Sequence, residues 1–262
     1  MVLFNLFDDQ SRILIDTKGA YLHSYVIGNK NIILNGTEIQ TRGGMALLIP
    51  FANRIKNGKY VWNGKTYELK INQEGNAIHG FAIDKEFQVI ERNENSIFLS
   101  TSIKDPGYPS NLLVNVKYEL KKKLNLEIEI INEGKENAPL LVGTHPYFIV
   151  EGKWKISPNK AKKCISRNKI PTGEFEDSII NYGEFDDCFY FPENVIINSK
   201  YSKIKLIKQN MDFIHMYTGI KGSLAVEPMS GAPDSFNNKI GLKSLDPGDY
   251  ELFNIRIELE KI

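Results

Sequence analysis

Five polar side chains stand in short segments of this sequence that are otherwise largely apolar. The candidates, with their segments, are Arg54 (50–55), His79 (78–81), His145 (143–148), Glu227 (226–237) and, as a weaker fifth, Asp186 or Asp187 (186–189). As a set they offer hydrogen-bond donors, hydrogen-bond acceptors and groups that exchange protons near neutral pH. This combination predicts recognition of an uncharged, hydroxyl-rich molecule such as a sugar and acid–base chemistry on it. It requires neither a metal ion nor a covalent nucleophile.

Each candidate, taken singly, also has an ordinary structural interpretation. A histidine in an apolar strand is more often a packed core residue than a catalyst, which applies to His79 and to His145. Glu227 fits an edge strand that ends at Pro228, and Arg54 fits a structural ion pair. Only the joint occurrence of the candidates therefore favours a functional site.

Two further histidines are left outside the predicted site. His215 alternates with Phe213 and Tyr217, a pattern that predicts a packed position on a strand. His23 lies in an early predicted strand and has no unusual neighbours. We therefore assign neither histidine to the site.

The elements that must position these side chains are predicted to be strands. Apolar and polar residues alternate along 253–260, as in a strand with one buried face. Segment 113–131 shows this pattern twice, and three lysines at 121–123 separate the two halves. The lysines predict the solvated end of a hairpin.

Turn signals separate the predicted strands at short intervals. Asn63-Gly64 predicts a tight type I′ hairpin, because both central residues of that turn need positive φ. Residues 93–95 predict another hairpin, and no long stretch has apolar residues at helical spacing. The expected fold class is all-β, a large single-domain antiparallel β-sandwich that spans residues 1–262.

Composition excludes several classes of partner. The 262 residues include 33 basic and 32 acidic side chains, whereas a nucleic-acid-binding protein usually has a basic excess, so we expect no nucleic-acid partner. No apolar run is long enough to span a bilayer and no signal peptide is evident, so we expect no membrane association and a cytoplasmic location. Cys164 and Cys188 are the only cysteines. They could form a disulfide, but so low a count fits a reducing compartment better.

Five short motifs make the sequence resemble the aldose 1-epimerase (galactose mutarotase-like) family. In family order they are Asn53-Arg54-Ile55, His79-Gly80, H-x-Y-F at 145–148, D-x-x-F at 186–189, and Glu227-Pro228 with P-D-x-F-N at 233–237. The motifs extend across almost the whole chain. Pro146 replaces a serine of the best-studied members, so the resemblance specifies the type of reaction more firmly than the sugar.

The resemblance implies a galactose mutarotase-like supersandwich with an open cleft, in which α and β anomers of a free aldose interconvert. Carried over residue by residue, it makes His145 the general acid and Glu227 the general base. We expect the two groups on opposite sides of the sugar. Arg54, His79 and Asp186 would bind the sugar and orient it.

Two details of the site follow from neighbouring residues. The family pattern selects Asp186 over the adjacent Asp187, because Asp186 stands three residues before Phe189. Gly80, beside His79, fits a need for close backbone approach or positive φ. No Gly-rich phosphate loop and no paired cysteines at metal-site spacing occur, so we expect no cofactor and no metal ion.

Three other functions fit the same residues. A hexose-6-phosphate mutarotase would need additional Arg or Lys side chains beside the cleft. A non-catalytic carbohydrate-binding sandwich would need donors and aromatic rings but no paired acid and base. A polysaccharide-active enzyme on the same sandwich is more remote, since a fold does not fix a function. The expected partner is a small-molecule monosaccharide, and the expected assembly is a monomer or a homodimer.

Overall fold

Two antiparallel β-sheets dominate the structure. The computed structural model describes residues 2–261, in which a larger sheet of 11 strands accompanies a smaller sheet of eight. Side chains from both sheets contribute to one buried hydrophobic cluster. The expected antiparallel β-sandwich is confirmed.

The chain forms 25 strands within the described range. Numbered in chain order, they are β1 (Leu3–Asp8), β2 (Ser11–Asp16), β3 (Tyr21–Ile27), β4 (Lys30–Asn31), β5 (Met45–Leu48), β6 (Arg54–Ile55), β7 (Lys59–Trp62), β8 (Lys65–Glu68), β9 (Ala77–Ile78), β10 (Gln88–Arg92), β11 (Ser96–Ile103), β12 (Leu112–Leu120), β13 (Leu124–Asn132), β14 (Ala138–Leu140), β15 (Gly143–Ile149), β16 (Lys155–Ser157), β17 (Lys160–Arg167), β18 (Ile170–Ile179), β19 (Asp186–Tyr190), β20 (Val195–Asn198), β21 (Lys203–Gln209), β22 (Phe213–Tyr217), β23 (Ser223–Met229), β24 (Lys243–Leu245) and β25 (Tyr250–Lys261).

Helical structure is confined to single turns. Three 3₁₀ turns occupy Gln40–Arg42, Lys56–Gly58 and Ala82–Asp84, and one α-helical turn, α1, occupies Ser235–Asn238. In residues 2–261, therefore, no helix has both the length and the apolar character needed to cross a membrane.

The order of strands in the larger sheet brings distant parts of the chain together. It runs β1-β2-β3-β5-β15-β23-β22-β19-β17-β18, with β4 beside β3, whereas the smaller sheet runs β10-β11-β12-β13-β25-β21-β20-β16. Three two-strand ribbons, β14-β24, β6-β9 and β7-β8, complete the pairing. At the centre of the larger sheet, β5, β15 and β23 are neighbours although long stretches of chain separate them.

Alternating burial in the smaller sheet supplies one side of the core. In β12 and β13 every second residue is buried, as the sequence pattern predicts. In β25, Phe253, Ile255 and Ile257 are buried and their polar neighbours are more exposed. Tyr118 in β12 donates its hydroxyl to the carbonyl of Ala20 at 2.8 Å, so this buried phenol is paired as well as packed.

The hairpins lie where the turn residues predict them. Asn63 and Gly64 connect β7 to β8 with φ values of 47° and 75°, which the type I′ turn requires. Residues 93–95 connect β10 to β11, and the lysines at 121–123 connect β12 to β13.

The two cysteines are free thiols in the larger sheet. Cys164 lies in β17 and Cys188 in the adjacent β19, and both are buried. They therefore pack as small apolar side chains, and no disulfide joins these strands.

We expect Ile128→Ala to lower the free energy of unfolding by about 2–5 kcal/mol, because a buried side chain at the centre of β13 is removed. Glu127→Ala, on the exposed face of the same strand, should change it by no more than about 0.5 kcal/mol. Urea unfolding followed by circular dichroism measures both values. Equal losses in the two variants would contradict the assignment of the two faces.

Candidate active site

One cleft over the larger sheet contains all five candidate residues. Its volume is about 400 Å³, within the range of small-molecule sites. The lining includes Arg54, His79, His145, Asp186 and Glu227. The structure thus brings together side chains that the sequence distributes over most of the chain.

Paired strands set His145 and Glu227 side by side. The register of β15 against β23, with Gly143 opposite Met229, continues to place His145 opposite Glu227. Opposed residues on antiparallel strands share one face of a sheet. Nε2 of His145 lies 3.2 Å from Oε1 of Glu227. The expectation that these groups act from opposite sides of a ligand is therefore wrong, because they reach the cleft from the same side.

Burial disfavours the charged forms of both groups. Burial raises the pKa of the Glu227 carboxyl well above its usual range; the Asp186 charge acts in the same direction and the Arg54 charge against it. Burial also lowers the pKa of His145 well below its usual range, and the neighbouring histidines add to this effect. In the protein without ligand, these shifts favour the neutral form of His145 and the neutral form of Glu227.

Four buried polar atoms in the cleft have no hydrogen-bond partner among the described residues. They are Nδ1 of His79, Nδ1 of His145, Nδ1 of His215 and Oε2 of Glu227. Buried polar atoms are nearly always paired, so such a concentration is unusual and is typical of a functional site. In residues 2–261, no group of three or more His, Cys, Asp or Glu side chains is placed to hold a metal ion.

Two rings fix the orientation of the His145 imidazole. Tyr147, two residues further along β15, stacks on it with ring centroids 4.7 Å apart and planes inclined by 21°. His79 meets it edge to face at 5.7 Å. Tyr147 is held in turn by its hydroxyl, which donates to the carbonyl of Thr41 at 2.7 Å.

An unusual backbone conformation positions His79. Its φ is 64°, in the left-handed region that few non-glycine residues adopt, and its N–H donates to the Asn53 carbonyl at 2.9 Å. Gly80 follows with φ of 70°, and a Cβ there would lie 2.3 Å from the Ile49 carbonyl oxygen. Both reasons suggested for a glycine at this position are therefore confirmed.

Arg54 lines the cleft and also forms an ion pair. Its Nε donates to Oε2 of Glu74 at 2.9 Å, and its Nη1 donates to Oδ1 of Asn53 at 3.1 Å. These bonds hold the guanidinium in the cleft lining, and the bond from Arg54 keeps the pKa of Glu74 below its usual range. The structural and ligand-binding interpretations of Arg54 are thus compatible.

Asp186, rather than Asp187, lines the cleft. Oδ1 of Asp186 accepts a hydrogen bond from Nε2 of His215 at 3.0 Å, and Oδ2 accepts one from Nζ of Lys169 at 3.0 Å. These two partners hold the pKa of the Asp186 carboxyl well below its usual range. Asp187 instead pairs with Lys163 at 2.9 Å, outside the cleft lining.

Sequence reasoning missed several polar residues of the lining, and four of them have a charged or an imidazole side chain. His215 is packed, as its alternation with Phe213 and Tyr217 predicted, but it also lines the cleft and lies opposite Glu227 in the β22–β23 register. Being packed in a strand does not exclude a residue from a site. The other three, Arg42, Glu74 and Lys169, come from short turns and loops. No periodic pattern identifies residues of that kind.

The sequence is similar to that of a known protein family. The family model described as aldose 1-epimerase matches residues 4–258. Protein YihR of Escherichia coli K12 is 29% identical over 229 residues, which is 77% of this chain and 74% of YihR. The aldose 1-epimerase of the same organism is 28% identical over 129 residues, covering 47% of this chain and 37% of that enzyme.

The fold is shared with solved structures. A galactose mutarotase-like protein from Lactobacillus casei superposes with a TM-score of 0.86 at 18% identity, over 99% of this chain and 100% of that one. The chain therefore belongs to the aldose 1-epimerase family, and its fold is that of the galactose mutarotase-like proteins.

We expect the imidazoles of His79 and His145 to stay neutral between pH 8 and pH 5 in the folded protein without sugar. Burial lowers the pKa of His79 to about 3 and that of His145 well below its usual range. Two-dimensional ¹H–¹⁵N spectra of the rings measure this, and the same histidines in urea should titrate at about 6.5.

The same shift makes stability depend on pH. Below about pH 6.5 the unfolded chain binds a proton at His79 that the folded protein does not bind. The contribution of His79 to the free energy of unfolding therefore falls as the pH drops towards 3. The unfolding free energy of His79→Gln should therefore fall less steeply over that range than that of the wild type. Parallel curves for the two proteins would contradict the assignment.

Proposed function

We propose that this protein is an aldose 1-epimerase, a mutarotase that interconverts the α and β anomers of a free monosaccharide by acid–base ring opening and reclosure. The observation that carries the proposal is the 3.2 Å contact between Nε2 of His145 and Oε1 of Glu227 in a cleft of about 400 Å³. Membership of the family supports the type of reaction.

The contact suits the two proton transfers that mutarotation needs. The anomeric hydroxyl loses a proton while the ring oxygen gains one, and both oxygens are bonded to C1. An acid and a base that lie side by side can therefore serve both oxygens at once. Neither oxygen then has to carry a full charge, and a positioned proton transfer is typically worth about 10²–10⁴-fold in rate.

His145 and Glu227 need only one transferable proton between them to catalyse ring opening. In the opening step, Glu227 takes the proton of the anomeric hydroxyl while His145 protonates the ring oxygen. Reclosure is the reverse, so each group both gives and accepts a proton in a full cycle. The sugar-bound state has to favour ionised Glu227, and the charge of Arg54 acts in that direction.

The remaining cleft residues hold the sugar while C1 moves. After ring opening, the C1–C2 bond must rotate before the chain closes on the other face of the carbonyl. Arg54 and Asp186 offer charge-assisted hydrogen bonds to hydroxyls, and His79 offers a neutral imidazole. These contacts can hold the other carbons in place and leave C1 free to turn.

We expect Glu227→Gln and His145→Asn each to lower kcat by about 10²–10⁴-fold, because each change removes one proton-transfer group. The KM should change little, because both substitutions retain a polar side chain. Polarimetry of freshly dissolved α-D-glucose and α-D-galactose measures the rates, and circular dichroism checks the fold.

Asp187→Asn is the matched control, since Asp187 neighbours a site residue but lies outside the cleft lining. Its kcat should equal that of the wild type. Full activity of Glu227→Gln and His145→Asn would refute the catalytic roles of these two groups. Sugar binding by a wild type that shows no turnover would instead favour a carbohydrate-binding sandwich without catalysis.

One observation favours a second candidate, a hexose-6-phosphate mutarotase. Arg42 lines the cleft, its Nη1 donates to the hydroxyl of Tyr217 at 3.1 Å, and no carboxylate pairs with it among the described residues. A guanidinium of this kind is suited to a phosphate group. The cleft thus contains an additional arginine of the kind that this alternative requires.

Rates on glucose and on glucose 6-phosphate separate the two candidates. If Arg42 binds phosphate, Arg42→Met should lower kcat/KM for the phosphate ester by roughly tenfold or more relative to glucose. An unchanged ratio of the two values would exclude this role of Arg42.

A further inference from the structure

The tip of the β17–β18 hairpin places a lysine in the cleft. Asn168 and Lys169 form its two-residue turn, with φ values of 51° and 66°, and Arg167 faces Ile170 across the hairpin. A register shift between Cys164 and Ser166 interrupts the pairing just before the tip. Bulges of this kind bend a strand and re-aim its end.

Lys169 is tied to two sides of the cleft. Its Nζ lies 3.0 Å from Oδ2 of Asp186 and 3.5 Å from Oε1 of Glu74, whose other oxygen accepts the bond from Arg54. An ammonium group has three N–H donors, and these two contacts use at most two of them. At least one donor therefore remains for a ligand. The hydrogen bond to Asp186 raises the pKa of Lys169, so the group stays charged.

The position of Lys169 identifies the part of the sugar that it can reach. Asp186 in β19 and Glu227 in β23 are separated by one strand, β22, and hence by roughly 10 Å across the sheet. A single hexose with its hydroxyls can bridge such a gap between inward-pointing side chains. In a pyranose ring C4 lies opposite C1, so a sugar with C1 at Glu227 directs C3 and C4 towards β19.

We infer that Lys169 is a specificity-determining residue that donates a hydrogen bond to the C3 or C4 hydroxyl of the bound aldose, with Glu74 and Asp186 holding its ammonium group in place. The inference rests on the proposed function for the orientation of the sugar. An exposed ion pair alone contributes little to stability, so these contacts matter chiefly for where they place the ammonium group.

The test compares Lys169→Met with wild type on whichever of glucose and galactose is turned over faster, and on its 3-deoxy and 4-deoxy analogues. Wild type should discriminate against at least one analogue by roughly 10- to 100-fold in kcat/KM, the usual range for a lost hydrogen bond to a charged group. Lys169→Met should reduce that ratio to about threefold or less, mainly through KM, and Lys169→Arg should restore part of it.

Lys163→Met is the matched control, because Lys163 lies in the same hairpin and pairs with Asp187 outside the cleft lining. It should keep the discrimination of the wild type. An unchanged ratio for both analogues in Lys169→Met, or a wild type that does not discriminate, would overturn the inference.

Calorimetric titration with the same sugars separates failure of the inference from failure of the proposed function. Lys169-dependent binding without turnover would leave the inference standing and refute the mutarotase. If turnover is lost in Glu227→Gln but is unaffected by substitution of Lys169, the mutarotase proposal stands and the inference about Lys169 fails. Absence of both binding and turnover would refute both.

Discussion

The antiparallel pairing of β15 with β23 is the constraint on which the rest of the cleft depends. It sets an imidazole and a carboxylate opposite each other on one face of a sheet, at a contact distance that side chains on loops would hold less firmly. The neighbouring strands extend the same face, so that His215 adjoins Glu227 in β22 and Asp186 follows in β19. The proposed acid–base pair and Asp186, one of the proposed sugar-binding residues, thus lie on one face of the larger sheet.

Two electrostatic zones divide that surface. The inner zone contains Glu227, His145 and His79, which burial drives towards their neutral forms. The outer zone is a chain of charged groups in contact, formed by Arg54, Glu74, Lys169 and Asp186. Burial disfavours charge on the inner groups, but a proton given up by one of His145 and Glu227 and taken up by the other leaves their combined charge unchanged, whereas the outer groups offer charge-assisted hydrogen bonds. In the proposed mechanism, both proton-transfer groups therefore belong to the inner zone, whereas Arg54 and Asp186, two of the three proposed binding residues, belong to the outer zone.

Much of the fold was predictable from the sequence because strand periodicity and turn chemistry are local properties. The alternation in 113–131 and the Asn63-Gly64 turn needed no knowledge of the rest of the chain. The arrangement of the acid and the base was not predictable, since it depends on which strands pair and in what register. A one-residue shift in the pairing of β15 would turn His145 to the other face of the sheet.

The candidate residues were predictable to a similar extent. Five polar residues in apolar segments could be recognised, and all five line the cleft. His215 was left out because its alternation with apolar residues predicts a packed position whether or not the residue also lines a site. Lys169 and Glu74 lie in turns, and their contacts across the cleft depend on the approach of two loops that are far apart in sequence. Only the three-dimensional structure contains that information.

The order of strands in the larger sheet also bears on how the cleft arises during folding. The strands that carry its central residues come from both halves of the chain, and β15 joins β5 on one edge and β23 on the other. Such non-local pairing closes long loops and is slow compared with hairpin formation. Hairpins such as β12–β13 can form early, but an amino-terminal fragment that lacks β23 contains no carboxylate partner for His145. The pairing of His145 with Glu227 consequently cannot form before β23 has been synthesised.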